Sequence, residues 1–166
     1  MGQLIGAFNA LLQVLQQREA ALTANEERMG IAVQRMNEAQ EIAQLGNWTL
    51  NLEDGALHWS DEIFRIFEID PTQFAATYEG FLSVVHPDDR ELVNKAYGDS
   101  LINKSPYQVE HRLLMPDGRI KWVQERCQTD FDTNGKPLLS KGTVQDITHR
   151  RETLRSLAES RDLLMA

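Results

Sequence analysis

The stretch from Tyr107 to Thr148, YQVEHRLLMPDGRIKWVQERCQTDFDTNGKPLLSKGTVQDIT, constrains the fold most. Asp117-Gly118 and Asn134-Gly135 divide it into three. Tight hairpin turns need positive φ, which Gly and Asn tolerate, so the stretch predicts three consecutive antiparallel strands. The first alternates Val109, His111 and Leu113 with Glu110 and Arg112. The second alternates Val123, Glu125 and Cys127 with Trp122, Gln124 and Arg126. A period of two gives each face of the sheet its own chemistry. The third strand is expected from Leu138 to Ile147, where the pattern turns abruptly helical as RRETLRSLAESRDLL.

The other end of the chain reads as one long helix. Residues 1 to about 44 lack proline and turn clusters. With Met1 at heptad position a, the next a positions are Phe8, Leu15, Leu22, Met29, Met36 and Ala43, all apolar. The d positions Leu4, Leu11, Ala32 and Ala39 are apolar, and Arg18 and Asn25 are polar, a pattern that fixes register at a cost in stability. A register held this long predicts a coiled coil. A helix packed on its own domain is the alternative, but about 66 Å of helix is more than a small domain needs. Gly30 is a weak point where a hinge is expected. The expected dimer seam is Phe8, Leu11, Leu15, Leu22, Met29 and Met36, continued after the third strand by Leu154 and Leu157 with Arg161 and Leu164.

Between these ends, Gly46–Leu52 alternates as a strand, and Asp54-Gly55 turns it into a short strand from Ala56 to Trp59. Ser60 or Asp61 caps a helix carrying Ile63, Phe64 and Phe67, with Asp70-Pro71 expected to end it. A short helical piece follows over Tyr78–Val85. His86-Pro87-Asp88-Asp89-Arg90 opens a longer helix that closes near Lys104, with proline and acids where the helix dipole favours them. Two hairpins separated by helices predict an α+β fold, a five-stranded antiparallel sheet with helices on one face.

Composition removes several classes. A net charge of −8 with no basic stripe makes a poor nucleic-acid binder. A single cysteine, Cys127, forbids an internal disulfide and fits a cytosolic location. No apolar run approaches the roughly 20 residues that span a bilayer. Both termini are in mid-register, so the sequence is expected to be part of a longer protein. His86 beside Asp88 suggests acid–base work, but no nucleophile or metal-ligand spacing accompanies it, and a turn-and-cap role fits better. His58, His111 and His149 are isolated in sequence, and no Gly-rich phosphate loop is present. The chain itself is expected to be no enzyme and to hold no metal.

The segments GNWTLNLEDGALHWSDEIFRIFEID, FLSVVHPDDRELV, YQVEHRLLMPDGRIKWVQER and GTVQDITHRR together resemble a PAS domain with its C-terminal PAC segment, over about residues 38 to 151. GQLIGAFNALLQVLQQREAAL resembles the end of a HAMP domain, a relay that follows a membrane span in bacterial receptors. These resemblances imply a coiled-coil signalling helix over residues 1–37, a PAS/PAC sensory domain over 38–148 and a linker helix over 149–166. The unbroken apolar a positions predict a parallel homodimer, and the resemblances imply the cytoplasmic part of an inner-membrane receptor. They also imply a C-terminal output domain of histidine-kinase or diguanylate-cyclase type, belonging to the parent protein. Covalent flavin needs a cysteine in the longer helix, and haem a histidine within it. HPDDRELVNKAYGDSL has no cysteine, and after His86 no histidine. No cofactor is therefore predicted, with non-covalent FAD or an unknown small molecule left open.

By alternation and by the family's pattern, Trp48, Leu50, Val109, His111, Leu113, Val123, Glu125, Cys127 and Val144 point toward the helices, joined there by Phe64, Phe67 and Phe81. These are the ligand-pocket candidates. His111 and Glu125 are polar among apolar neighbours and need partners, either each other or a small polar ligand. A pocket filled by its own side chains favours a ligand-free connector; a roomy cavity with unpaired polar groups favours a sensor. Trp122 faces the other way, and the helix near Glu38–Leu45 or a partner subunit is expected to cover it. Asp146, Ile147, Thr148 and Arg150 are the candidate signal-transfer residues. The resemblance implies that the Asp146 carboxylate ties the strand end to the exit helix, through backbone N–H groups or through Arg150.

Overall fold

A computed structural model describes all 166 residues. The chain divides into two units, Met1–Ala39 and Gln40–Ala166. The first lies within helix α1 (Gly2–Ile42), which runs through Gly30 without interruption and buries none of its residues. No helix is long and apolar enough to cross a membrane.

The second unit contains the strands β1 (Leu45–Asn51), β2 (Leu57–Trp59), β3 (Tyr107–Leu114), β4 (Ile120–Phe131) and β5 (Pro137–Asp146). Between the two hairpins lie α2 (Asp61–Phe67), α3 (Tyr78–Val84), a 3-10 turn (Pro87–Asp89) and α4 (Arg90–Asn103), and α5 (Thr148–Met165) follows the sheet. The sheet is antiparallel with the order β2-β1-β5-β4-β3, so the first and last strands in sequence are central neighbours. Gly118 and Gly135 take positive φ of 87° and 84° at the turns where Asp-Gly and Asn-Gly require it.

The core lies between the sheet's inner face and α2–α4, with Ile63, Phe67, Val85, Val93, Leu113, Met115, Val123 and Val144 all buried. Gly142 of β5 faces Trp48 across the β1 ladder. A methyl group there would collide with the Arg126 carbonyl and the Trp48 indole, so only glycine lets that ring lie flat on the strand.

Most boundaries move by a residue or two, and three departures from expectation have a local reason. Helix α2 stops at Phe67, not at Asp70-Pro71, because Glu68 turns left-handed (φ 56°) and its N–H bonds to the Arg65 carbonyl. The Glu68 carboxylate then accepts from Arg119 at 2.8 Å in the β3–β4 hairpin. Ser60 stands at the start of α2, but its hydroxyl accepts the Asn47 N–H at 3.0 Å and not a helical one. Strand β5 starts one residue early and stops at Asp146, because Ile147 donates to the Trp122 carbonyl as the chain turns into α5.

The HPDDR segment joins the helices to the sheet. His86 Nδ1 accepts the Asp88 N–H at 3.2 Å, the capping role expected of it. Asp89 accepts three bonds from Arg112: the backbone N–H at 2.8 Å, Nε at 2.9 Å and a terminal guanidinium nitrogen at 2.6 Å. That charge-assisted fork fixes the start of α4 against β3.

Candidate functional site

The inner face of the sheet and its helices enclose a cavity of about 20 Å3, room for one water-sized group. Each element contributes side chains by its own periodicity. Trp48 and Leu50 come from alternate positions of β1, Leu57 and Trp59 from β2, and Ile63 and Phe67 from one face of α2. Tyr78 and Phe81 of α3, Tyr97 of α4, Tyr107 of β3, Glu125 of β4 and Val144 of β5 complete the wall. Flavin-sized ligands need cavities of several hundred Å3, so this one does not fit an isoalloxazine ring.

Of the residues expected here, Trp48, Leu50, Phe67, Phe81, Glu125 and Val144 line the cavity. His111, Leu113, Val123 and Cys127 are buried in the core behind it and are not in its wall. Val109 is half-buried and takes no part. Phe64 also lies outside, half-buried with its ring 5.3 Å edge-on to Trp59. Sequence reading missed Trp59, Leu57, Ile63 and the three tyrosines as wall residues. Signals existed for two of the tyrosines: Tyr107 extends the inward alternation of Val109, His111 and Leu113, and Tyr97 lies one helical turn beyond the buried Val93.

The polar groups of this region are unevenly satisfied. Tyr107 donates to Glu125 Oε1 at 3.0 Å, Tyr78 donates to Asn94 Oδ1 at 2.7 Å, and the Tyr97 hydroxyl pairs with Ser140 at 3.0 Å. Burial pushes the Tyr78 phenol up to about 12, helped by the Glu125 charge, and raises Tyr97 and Tyr107 for the same first reason. Burial, with Glu125 nearby, also pushes the Cys127 thiol up to about 12, so it stays protonated and is a poor nucleophile. Glu125 and His111 are 3% and 0% exposed. His111 Nε2 lies 3.3 Å from Glu125 Oε2, close enough for an ion pair but not aligned as a hydrogen bond, and both atoms are buried without a partner. No three His, Cys, Asp or Glu side chains are grouped to hold a metal.

A second cluster sits where the sheet ends. Thr148 donates its N–H to Asp146 Oδ1 at 2.9 Å, so the Asp146 carboxylate does tie the strand end to the helix. Thr148 Oγ accepts the Trp122 N–H at 2.9 Å, and Ile147 donates to the Trp122 carbonyl at 2.8 Å. Arg150 does not pair with Asp146: its guanidinium sits 3.4 Å from Glu110, because α5 carries it toward β3. Trp122 is roofed by the Arg151 guanidinium, 3.8 Å above its ring, with Arg112 at 5.8 Å. The expected cover from Glu38–Leu45 is thus supplied by cations of α5 and β3. Residues 43–44 instead meet the exit: Asp146 donates its N–H to the Gln44 carbonyl at 3.2 Å, and the Gln145 amide reaches the Ala43 carbonyl at 3.3 Å. The chain therefore enters and leaves the sheet at one place.

An antiparallel sheet that cups helices over a small pocket, with the exit helix fastened to the strand ends, defines an α+β module of one layer of helices on one sheet. The sequence pattern of the family described as PAS fold matches residues 56–144, and the chain belongs to that family. Among its relatives is the probable diguanylate cyclase DgcE of Escherichia coli, 24% identical over 80% of this chain and 12% of that protein. Another is the blue-light-activated histidine kinase of Brucella ovis, 29% identical over 68% of this chain and 22% of that protein. The chain thus spans less than a quarter of the length of either. A sensory box histidine kinase/response regulator structure from Burkholderia thailandensis superposes with a TM-score of 0.63 at 28% identity, covering 79% of this chain and 98% of that one. The chain is a PAS sensor domain, related to those of histidine kinases and diguanylate cyclases.

Proposed function

We propose that this PAS domain is a relay in a parallel homodimer. It passes a change arising in the N-terminal coiled coil, or in the pocket, to a C-terminal output domain of kinase or cyclase type. The observation that carries the reading is the joint at Gln44, Trp122, Asp146 and Thr148, where entry, sheet and exit share hydrogen bonds. A displacement of β5 against its neighbours must pull on those bonds and so move α5. Dimerisation is supported by the apolar seam: Phe8 is 61% exposed, Leu22 63%, Met29 68% and Leu157 62%, too much apolar surface at heptad spacing for a solitary helix. Light scattering should give a dimer for the intact chain; a monomer would sink this part.

The relay itself is tested in the full-length parent protein. Asp146→Ala removes one acceptor from the joint and leaves the core untouched. Output activity should become fixed at one level, with and without the upstream stimulus, while the melting temperature barely moves. A variant that still responds like the parent protein refutes the relay through this joint. Ligand sensing is a second reading, favoured by one observation: the cavity wall carries a buried carboxylate oxygen with no partner.

A further inference from the structure

Residues 70–77, between α2 and α3, are tied to the rest of the molecule by very little. Their hydrogen bonds are local. Gln73 donates its N–H to the Asp70 carbonyl at 3.1 Å, and Thr72 donates its own to Asp70 Oδ1 at 2.9 Å. Thr77 caps α3 by accepting the Gly80 N–H at 3.0 Å on its hydroxyl. The segment is exposed apart from Phe74 and Ala76, which are half-buried. The Phe74 ring is what holds it down. That ring stacks on Trp59 of β2, with centroids 5.5 Å apart and planes 17° from parallel. On its other side it lies close against Gly80 of α3, where an added methyl group would overlap the ring edge. Phe74 therefore clasps the edge of the sheet to α3.

Trp59 is also a wall of the inner cavity. Of the half-buried wall residues, Tyr78, Tyr97 and Tyr107 are pinned by hydroxyl hydrogen bonds to Asn94, Ser140 and Glu125. Leu57 and Trp59 have no such pin and stand on β2, a three-residue edge strand paired with β1 alone. The indole is kept in place by rings: Phe64 and Phe67 meet it edge-on at 5.3 Å, and Phe74 lies flat on it. The flat ring belongs to the one segment without a bond to the sheet. Beyond the area it buries, a ring pair shifts an equilibrium by only about tenfold at most. An indole that swings out adds its own volume to the space behind it.

We propose that residues 70–77 are a strap that opens as a unit while the sheet stays folded, with Phe74 as its latch on Trp59, and that release of the latch is the way into the inner cavity. This goes beyond the relay and needs no ligand to be tested. The Asp146→Ala assay bears on the joint alone, so the two stand or fall separately.

Chymotrypsin cuts after aromatic residues and needs its target segment free of the body. Mass spectrometry of fragments from the intact chain therefore reads the opening as the rate of the cut between Phe74 and Ala75. In urea below the unfolding transition that rate should stay nearly flat, because opening a short strap exposes little surface. Gly80→Ala places a methyl group against the ring edge and drives the latch off. Its cut should be about tenfold faster. Acrylamide should quench more of its tryptophan emission, as Trp59 and then Trp48 become reachable. Its melting temperature should barely move, since alanine favours α3 while the stack is lost. Gly98→Ala in α4, where an added methyl group meets nothing, should be cut at the parental rate. A rate that climbs with urea as steeply as global unfolding overturns the strap. An unchanged rate in Gly80→Ala overturns the latch. Faster cutting without added quenching means that Trp59 keeps its place, and overturns the entry route. Phe74→Leu removes the stack without adding bulk and should raise the quenching likewise; it decides the latch if Gly80→Ala does not fold.

Discussion

The inner cavity and the exit joint share strands β4 and β5 and are built in opposite ways. At the cavity, Glu125 in the wall and His111 behind it are almost fully buried and leave Oε2 and Nε2 without partners. At the joint, Trp122, Asp146 and Thr148 are half-buried, and the Trp122 and Thr148 N–H groups both find acceptors. Burial without satisfaction leaves a region open to a different occupant or arrangement. Satisfaction near solvent makes a joint stiff without making it a large part of the stability. A module that receives in one place and transmits in another needs both kinds.

The strand shared by both regions gives the largest expected effect. β5 supplies Val144 to the cavity, Asp146 to the joint and Gly142 as the bed for Trp48. Gly142→Ala forces a methyl group into the Arg126 carbonyl and the Trp48 indole. It should cost about 3 kcal/mol, the upper end for overpacking, because one obstacle is backbone and cannot rotate away. Urea denaturation measures it. A loss below about 1 kcal/mol would mean that the sheet slides readily under Trp48 and that the two regions are less rigidly linked than their common strand suggests.

Next in size is the Asp89–Arg112 fork, a satisfied cluster like the joint but tied to the helices. Asp89→Ala should cost about 2 kcal/mol, since Arg112 keeps access to water and does not become an isolated buried charge. The Arg112 guanidinium bonded to Asp89 holds that carboxyl below the usual carboxylate range. Its contribution is therefore fully present above the ordinary carboxylate pKa of about 4 and is lost as pH falls through the lower folded value. Unfolding curves of the parent and Asp89→Ala should converge below pH 4. Parallel curves down to pH 2 would show that the fork contributes nothing that protonation removes.

These contacts mark where sequence reasoning reaches. The three strands of Tyr107–Thr148 and the two hairpin turns were legible because period-two alternation and positive-φ residues are local signals. So was the inward set Trp48, Leu50, Glu125 and Val144, which alternation together with the family's pattern orders. Phe64 was misplaced because helical spacing does not say which side of a short helix meets the cavity and which meets Trp59. The cover of Trp122 by Glu38–Leu45 was misjudged because Arg151 reaches the ring only after the chain turns at Ile147, a long-range geometry with no periodic trace. The same holds for Arg150, whose bond to Glu110 depends on how α5 leaves the sheet.

A third test bears on the joint alone. Thr148→Val keeps the shape and removes the hydroxyl that accepts the Trp122 N–H. The stranded donor should cost about 1 kcal/mol by urea denaturation, and amide exchange at Trp122 should quicken. Unchanged exchange there would show that the main-chain bond from Ile147 holds β4 and the exit together without the side chain.

The smallest effect is expected in the cavity, where the contrast with the joint is sharpest. Glu125→Gln keeps an oxygen to accept from Tyr107 and replaces the unpartnered Oε2 with an amide N–H. That N–H lies within reach of His111 Nε2, 3.3 Å away in the parent, and gives both atoms a partner when Nε2 carries the lone pair. Removing a buried charge at the same time relieves its desolvation. The variant should be as stable as the parent or more so, by up to about 1 kcal/mol in urea at neutral pH. A loss of more than about 1 kcal/mol would mean that His111 carries a proton toward Glu125 and that the two form a net-stabilising ion pair. In that case the cavity would be as satisfied as the joint, and the division between a receptive region and a transmitting one would have to be abandoned.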